Sequence, residues 1–600
     1  MDVREYAKHS VQGAVEQGRQ IVAIIEQDGI KGLPAAELEV KKAGRCGKSI
    51  GLIYGTRIYT YVELDDHFYA SHASSVAEVL IPINREGYRN LCEIITLAYR
   101  DGSVDEPKVT LEDIAARKDG LIWMDDSEWD LCLQSEIKLA EVSDKISEKP
   151  LFPRSRCLPM IDGAGEALME SCYNKAHEIY GEKLPSHIET QLNNELDAII
   201  GNGWDAIFHI AKMMADKARE DGQPFGFRGT IGSSLAAYFA GITGVNPLPP
   251  HYVCSDCGHY EEPKEGTKYE TCWELPQRVC PNCGKEMKRD GYNIPTEVLF
   301  GYRMDREPDI DFNFAPDYRK RMQDLLTEFL GKNHVIICGT CRSDGKTGIH
   351  PGGCFIVPDQ YEITDFTPLQ RVNIESDDDR VVTHIDYHDV DFSLLKMDLL
   401  THDSMRVLRE LKDATGVDPE DISLDDKDTL AYLTHAEDDI SEYDVYEYNS
   451  LVEFGSDFAR RVIKATDPRS FGDLVRVDGL IHGTNAWKEN AEMFISDGSA
   501  RLRDVITTRD DIMNYMLELG MDRENAYRIM DTVRKGRPLN TEQIELIRKY
   551  GVPEWYIESC GKVIYVFPRA HAVVYSMMSF RLAWYKVHYP NIYEKVLMPQ

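Results

Sequence analysis

No run of apolar residues in this chain approaches the roughly 20 needed to cross a bilayer, so no membrane-spanning segment is expected. The segment from Met1 to Lys8 lacks the apolar region of an export signal, and secretion is not expected either. Cysteine is sparse: 14 in 600 residues are too few for a disulfide scaffold and read instead as thiols or metal ligands in a reducing compartment. Histidine is scarce at the front, where residues 1–150 hold His9, His67 and His72 and cannot build a histidine-rich metal cluster. Positive charge is short as well. With 68 Lys and Arg against 102 Asp and Glu, the net charge of −34 argues, taken alone, against a nucleic-acid partner, because neutralising phosphates needs clustered cations. The acidic excess gathers, however, in runs such as Glu375–Asp379 and Glu437–Glu447, which read as solvated loops. Global charge therefore does not describe a local groove.

What is present points to a large globular chain. Six hundred residues suggest roughly three to five domains, and 42% hydrophobic residues supply real cores. Residues 1–150 alternate helical segments (Val3 to Gly18, Tyr88 to Tyr99) with short apolar runs (Ile21–Ile25, Gly51–Tyr54, Val79–Ile83). That alternation predicts an α/β domain with a largely parallel sheet. A proline-bearing stretch, Glu148–Pro153, reads as a linker. Helices are predicted over Gly163–Tyr180 and Ser186–Asp221, and again in most of the chain beyond Asp403.

Four local patterns carry chemistry. In Glu307-Pro-Asp-Ile-Asp-Phe-Asn-Phe314, strand periodicity places Asp309, Asp311 and Asn313 on one face, with Ile310, Phe312 and Phe314 on the buried one. Adjacent carboxylates against an apolar wall call for a divalent cation, although a hairpin edge with solvated aspartates satisfies the same pattern. The buried strand Leu394-Leu-Lys-Met-Asp398 carries one inward carboxylate, costly unless paired or metal-bound, which makes Asp398 the natural third ligand. His384 and His388 read as a polar strand face, with metal ligation as the alternative. The Gly/Ser-rich turn Gly226–Ser234 opening a helix, with Arg228 beside it, suits an anion, or is an ordinary capped turn. Cys254-x2-Cys257 and Cys280-x2-Cys283 are the most specific signal: paired knuckles, each followed by glycine, for one structural Zn2+, with Cys272 as a substitute ligand between them. Cys338-x2-Cys341 has no partner pair and reads as core or loop thiols.

These motifs occur in one order together with Val245–Cys254, His350-Pro-Gly-Gly353, His482-Gly-Thr484, Asp531–Gly536 and Phe567–Ala572. In that order they closely resemble the catalytic core of the C-family bacterial replicative DNA polymerases, the PolC-type DNA polymerase III alpha subunits, over roughly Phe152 to Tyr593. The resemblance implies an α/β multidomain protein: a polymerase-β-like nucleotidyltransferase palm with helical thumb and fingers, a zinc-knuckle insert at 254–283, and an N-terminal PHP-like domain. The implied divisions are 1–150 (PHP-like), 151–402 (palm and thumb) and 403–600 (helical fingers).

The same resemblance implies two catalytic Mg2+ ions held by Asp309, Asp311 and Asp398. Arg228, Gly232 and Ser233 match the triphosphate-cradling motif, and Arg534, Lys535 and Arg537 match the basic segment facing the incoming nucleotide. Primer–template DNA and deoxynucleoside triphosphates are the implied substrates. A sliding clamp and other replisome proteins are further candidate partners, in the cytoplasm of a bacterium or of a phage-infected one.

Several departures accompany the likeness. The PHP His-x-His strand is missing, Glu26-Gln27-Asp28 stands at its Thr-Asp-His position and Arg57 at its strand-end glutamate, so PHP metal chemistry is not expected. No inserted exonuclease domain is recognised. The segment between Cys338 and His350 is short, and Gln600 precedes the family's duplex- and clamp-binding tail. A catalytically weak paralogue that binds DNA or replisome proteins is therefore the alternative expectation.

Overall fold

The computed structural model describes residues 2–61, 77–101, 107–264, 268–342, 345–372, 380–434 and 451–597. The acidic runs Glu375–Asp379 and Glu437–Glu447, and also His67 and His72, lie outside the described residues. The architecture is mixed α/β and multidomain, and the chain forms two compact units: Met1–Met160 with Asp324–Asp398, and Ile161–Gln323 with Leu399–Gln600. Segment 151–402 thus contributes to both. Among the described residues no helix is long and apolar enough to cross a membrane.

In the first unit, helix Val3–Glu16 precedes strand Ile21–Gln27, and helix Leu33–Arg45 leads to strand Gly51–Tyr61. Those two strands pair in parallel, as βαβ alternation predicts. The sheet is not largely parallel, however. Ala77–Pro82 pairs antiparallel with both Gly51–Tyr61 and Leu121–Asp125, while Lys108–Thr110 returns to a parallel pairing. Strand alternation alone does not carry direction. Helix Arg85–Asp101 covers one face with Tyr88, Leu91, Ile94, Ile95 and Ala98, each 0% exposed. Its Tyr88 hydroxyl donates to the Phe366 carbonyl (2.8 Å), joining residues 1–160 to the later part of the same unit. There Thr347–Ile356 is flanked antiparallel by Val335–Cys341 and Leu395–Thr401.

The second unit opens with helices Ala164–Tyr180, Ser186–Gly201 and Asp205–Glu220. The expected single helical stretch over 186–221 is broken at Gly203, which takes a φ of 71°. Strand Asp311–Phe314 pairs antiparallel with Gly226–Arg228. Its apolar side is aromatic: Phe312 lies 4.6 Å from Phe227 and stacks on Phe314 at 5.2 Å, and Ile310, Phe312 and Phe314 are all buried as periodicity predicts. Phe312→Ala is expected to cost about 3–5 kcal/mol of stability, since a fully buried ring leaves a cavity that its neighbours only partly fill. A lowered midpoint of chemical unfolding measures it.

Helix Arg569–His588 runs through the unit's core, buried on nearly all sides. Its first turn is fixed by a backbone bond from Arg569 N–H to the Asp510 carboxylate (2.7 Å).

Candidate active site

The carboxylate strand is shorter than its periodicity predicts. It begins at Asp311, so Asp309 lies ahead of it and is exposed, while Asp311 is half-buried. The reason sits on the partner strand: after Arg228, Gly229 turns at a φ of 81°, and no ladder continues opposite Asp309. A side chain would be strained there. The expected common face of Asp309, Asp311 and Asn313 is thus only partly a strand face. Arg228 reaches the Asp311 carboxylate (Nε to Oδ2, 3.4 Å), and the Asn313 amide donates to the Tyr575 hydroxyl (3.1 Å). Gly229 N–H donates to His571 Nδ1 (3.3 Å), and burial holds that imidazole down at about 3, hence neutral.

In the first unit, Asp398 is the last residue and its side chain is only 11% exposed. Lys396, two residues earlier on the same strand face, donates to Oδ2 at 2.6 Å. Oδ1 is buried without a hydrogen-bond partner. His350 Nδ1 faces that oxygen at 3.8 Å, but it already accepts from Gly353 N–H (2.7 Å), so it offers the carboxylate no proton. Gly353 permits this approach, because a Cβ there would stand 2.7 Å from His350 Nδ1 and 3.2 Å from Asp398 Oδ1. An acceptor-only oxygen held out of water is the kind of donor that a hard divalent cation satisfies.

The Gly-Ser turn departs from expectation in one respect. The helix after Ser234 is five residues, Leu235–Phe239, followed by Gly241 at a φ of 73°, so its dipole is short. The turn is held instead by Glu195, a fully buried carboxylate accepting from Ser234 Oγ (2.8 Å), Ala236 N–H (3.0 Å) and Thr296 Oγ1 (2.8 Å). Sequence reading missed Glu195, whose helical position gives no sign of these partners. Gly232 packs against Ala570, where a Cβ would meet another at 3.0 Å, and the Ser233 hydroxyl is buried with no hydrogen-bond partner.

The basic segment is partly spoken for. Asp531 pairs with both Arg534 (2.6 Å) and Lys535 (2.6 Å), while Gly536 turns at a φ of 63° ahead of exposed Arg537. Two arginines that the sequence reading overlooked join Arg534: burial lowers the pKa of Arg306 and of Arg509, and the Arg534 charge pushes each down further. Cations gathered in this way form a positive field, which favours an anionic ligand. No local motif marks Arg306 and Arg509, which are drawn together only by folding.

The cysteine knuckles close as their spacing predicts. Cys254, Cys257, Cys280 and Cys283 bring their sulfurs within 4.8 Å of one another, with Cys254 to Cys283 at 3.4 Å and Cys257 to Cys280 at 3.6 Å. Sulfurs around tetrahedral zinc stand about 3.8 Å apart, so the set fits. Gly258 and Gly284 make the turns at φ of 67° and 75°. Cys272 lies outside the set and is buried. Cys338 is likewise a buried thiol whose pKa burial pushes well up.

At the PHP-like positions, Glu26 is buried and accepts from Tyr54 Oη (2.7 Å), Lys31 N–H (2.9 Å) and Gly32 N–H (3.0 Å), while Arg57 pairs with Asp126 (2.6 Å). His384 is buried against Gln370 (2.6 Å) and His388 sits on Asp386 (2.7 Å); neither lies on the expected strand face, because the strand ends at Thr383.

A family model described as "Bacterial DNA polymerase III alpha NTPase domain" matches residues 166–346 and 343–401, a finger-domain model of the same subunit matches 402–550, and a PHP domain model matches 4–178. The chain is 41% identical over 506 residues to the "DNA polymerase III PolC-type" of Caldanaerobacter subterraneus subsp. tengcongensis, covering 77% of this chain and 36% of that protein. Proteins of the same name from Thermotoga petrophila and Clostridium perfringens are each 38% identical, over 504 and 505 residues, covering 77% of this chain and 36% and 34% of theirs. The chain spans about a third of the length of the curated relatives it matches. With its motifs, fold and three family matches in agreement, the chain belongs to the bacterial DNA polymerase III alpha subunits of the PolC type.

Proposed function

We propose that this chain is the core of a template-directed DNA polymerase, adding deoxynucleoside triphosphates to a primer by nucleotidyl transfer in replication. Asp398 carries the reading: a charged oxygen kept from water without a hydrogen bond is costly unless a cation meets it. Asp309 and Asp311 are the other proposed ligands of two Mg2+ ions. Such ions, when bound, lower the pKa of the attacking hydroxyl and neutralise charge on the triphosphate. The remaining work falls to the chain's own groups. Arg228 orients the Asp311 carboxylate and offers charge to the phosphates, and the Ser233 hydroxyl and Gly232 backbone line the proposed triphosphate site. Arg534, Lys535 and Arg537, with Arg306 and Arg509, supply positive field for the incoming nucleotide. Cys254, Cys257, Cys280 and Cys283 hold a structural Zn2+. Primer–template DNA, a sliding clamp and replisome proteins are the proposed partners, in a bacterial cytoplasm. Purified protein with a primed template, all four deoxynucleoside triphosphates and magnesium is expected to extend the primer. DNA binding without incorporation at several magnesium concentrations would instead assign the chain a binding role.

A further inference from the structure

A second group of ligand-type side chains lies in the same unit as the knuckles and takes no part in the proposed chemistry. Asp478 and His482 stand one turn apart on helix Phe471–His482, so their side chains share a face. Glu453 is brought to them by the turn at Leu451–Gly455, closed by a bond from Gly455 N–H to the Leu451 carbonyl (3.1 Å). That turn is anchored where Ser579 Oγ donates to the Val452 carbonyl (2.7 Å). One ligand atom from each of Glu453, Asp478 and His482 lies within 4.8 Å of the others. His482 Nε2 is 3.5 Å from Asp478 Oδ1 and hydrogen-bonds Glu453 Oε2.

The independent observation is the state of Asp478. Its side chain is 0% exposed and neither carboxylate oxygen has a hydrogen-bond partner. A buried carboxylate with no donors is a large local cost, and a nearby imidazolium at 3.5 Å answers it only in part. A metal ion answers it fully. Nitrogen and oxygen ligands at about 2.0–2.2 Å from a tetrahedral centre stand roughly 3.3–3.5 Å apart, which matches the His482–Asp478 separation. An imidazole among the ligands favours a borderline cation over magnesium, and two carboxylates cancel a divalent charge. His482, 30% exposed, gives the solvent side, and Glu453 and Asp478 the floor.

We propose that Glu453, Asp478 and His482 form a second structural site for a divalent borderline cation, Zn2+ being the type, which pins the 451–455 turn to helix Phe471–His482. The cation takes the place of the direct Glu453–His482 hydrogen bond, and water completes its coordination. His482 also packs against His571, their rings 5.9 Å apart, so the site braces the imidazole that receives the Gly229 N–H.

The test is equilibrium dialysis of the full chain against zinc alone, read by elemental analysis per mole of protein. Asp478→Asn and Glu453→Gln are each expected to bind one zinc fewer than the wild-type chain while Asp309→Asn does not, with far-ultraviolet circular dichroism unchanged. X-ray absorption at the zinc edge of the wild-type protein is expected to show nitrogen or oxygen scatterers beside sulfur. Retention of the wild-type zinc count in both variants overturns the proposal. So does a wild-type chain that holds one zinc with a sulfur-only spectrum, which would leave the three residues as an ion-pair triad.

Discussion

Primer extension by the Asp398→Asn protein is expected to fall by on the order of 10³-fold or more at saturating magnesium, because a metal site contributes several kcal/mol to phosphoryl-transfer catalysis and each 1.36 kcal/mol is tenfold. The substitution keeps the side-chain volume and removes the charge, so packing in strand Leu395–Thr401 is preserved. An amide there would also face Lys396 with one acceptor instead of a shared negative charge. The loss is expected in kcat with little change in KM for the primer–template, since the carboxylate is assigned to the reacting phosphate and not to the duplex. Single-turnover extension on a primed template measures it, alongside a melting curve to exclude unfolding. A rate within a factor of a few of wild type would remove Asp398 from the ligand set.

The second large effect is on stability. Glu270 Oε1 accepts from Arg476 (2.8 Å) and Oε2 from Arg569 (2.7 Å), and both arginines also reach Asp511 (3.5 and 3.2 Å). The two arginine side chains are 7% and 2% exposed, so little water stands in for a lost partner. Glu270→Gln is expected to destabilise the protein by about 3–5 kcal/mol, the usual cost of leaving buried charge uncompensated. Burial by itself would raise the Glu270 pKa; the two guanidiniums outweigh it and hold the carboxyl at about 2, against an ordinary 4.5. The folded-state value is depressed, so this contribution is present above 4.5 and is lost as pH falls through about 2. That difference is worth ~3 kcal/mol. Guanidinium unfolding of wild type and Glu270→Gln at neutral pH and near pH 3 is therefore expected to show the gap narrowing on acidification. A gap that stays constant would mean that the arginine contacts do not set it.

Much of the candidate site was legible because its signals are local. Two knuckles with glycine behind each, and apolar residues alternating through Ile310, Phe312 and Phe314, need only neighbours in sequence, and the structure has both. What failed depended on partners elsewhere. Nothing in Asp309-Ile-Asp311 reveals that Gly229, eighty residues earlier, turns the pairing strand away. The parallel reading of residues 1–150 failed for the same reason, since periodicity reports which face is buried and not which way a neighbour runs.

The sequence by itself determined the family, the carboxylate and thiol motifs, and the faces that must be buried, because residue type, order and spacing are enough for these. Only the tertiary structure decided the electrostatics. Glu270 meets its arginines across 206 and 299 residues, Glu195 braces a turn about 40 positions on, and Asp478 is left with two buried oxygens that no hydrogen bond satisfies. Charges act through space, and the separations that set their strength exist only once the chain has folded.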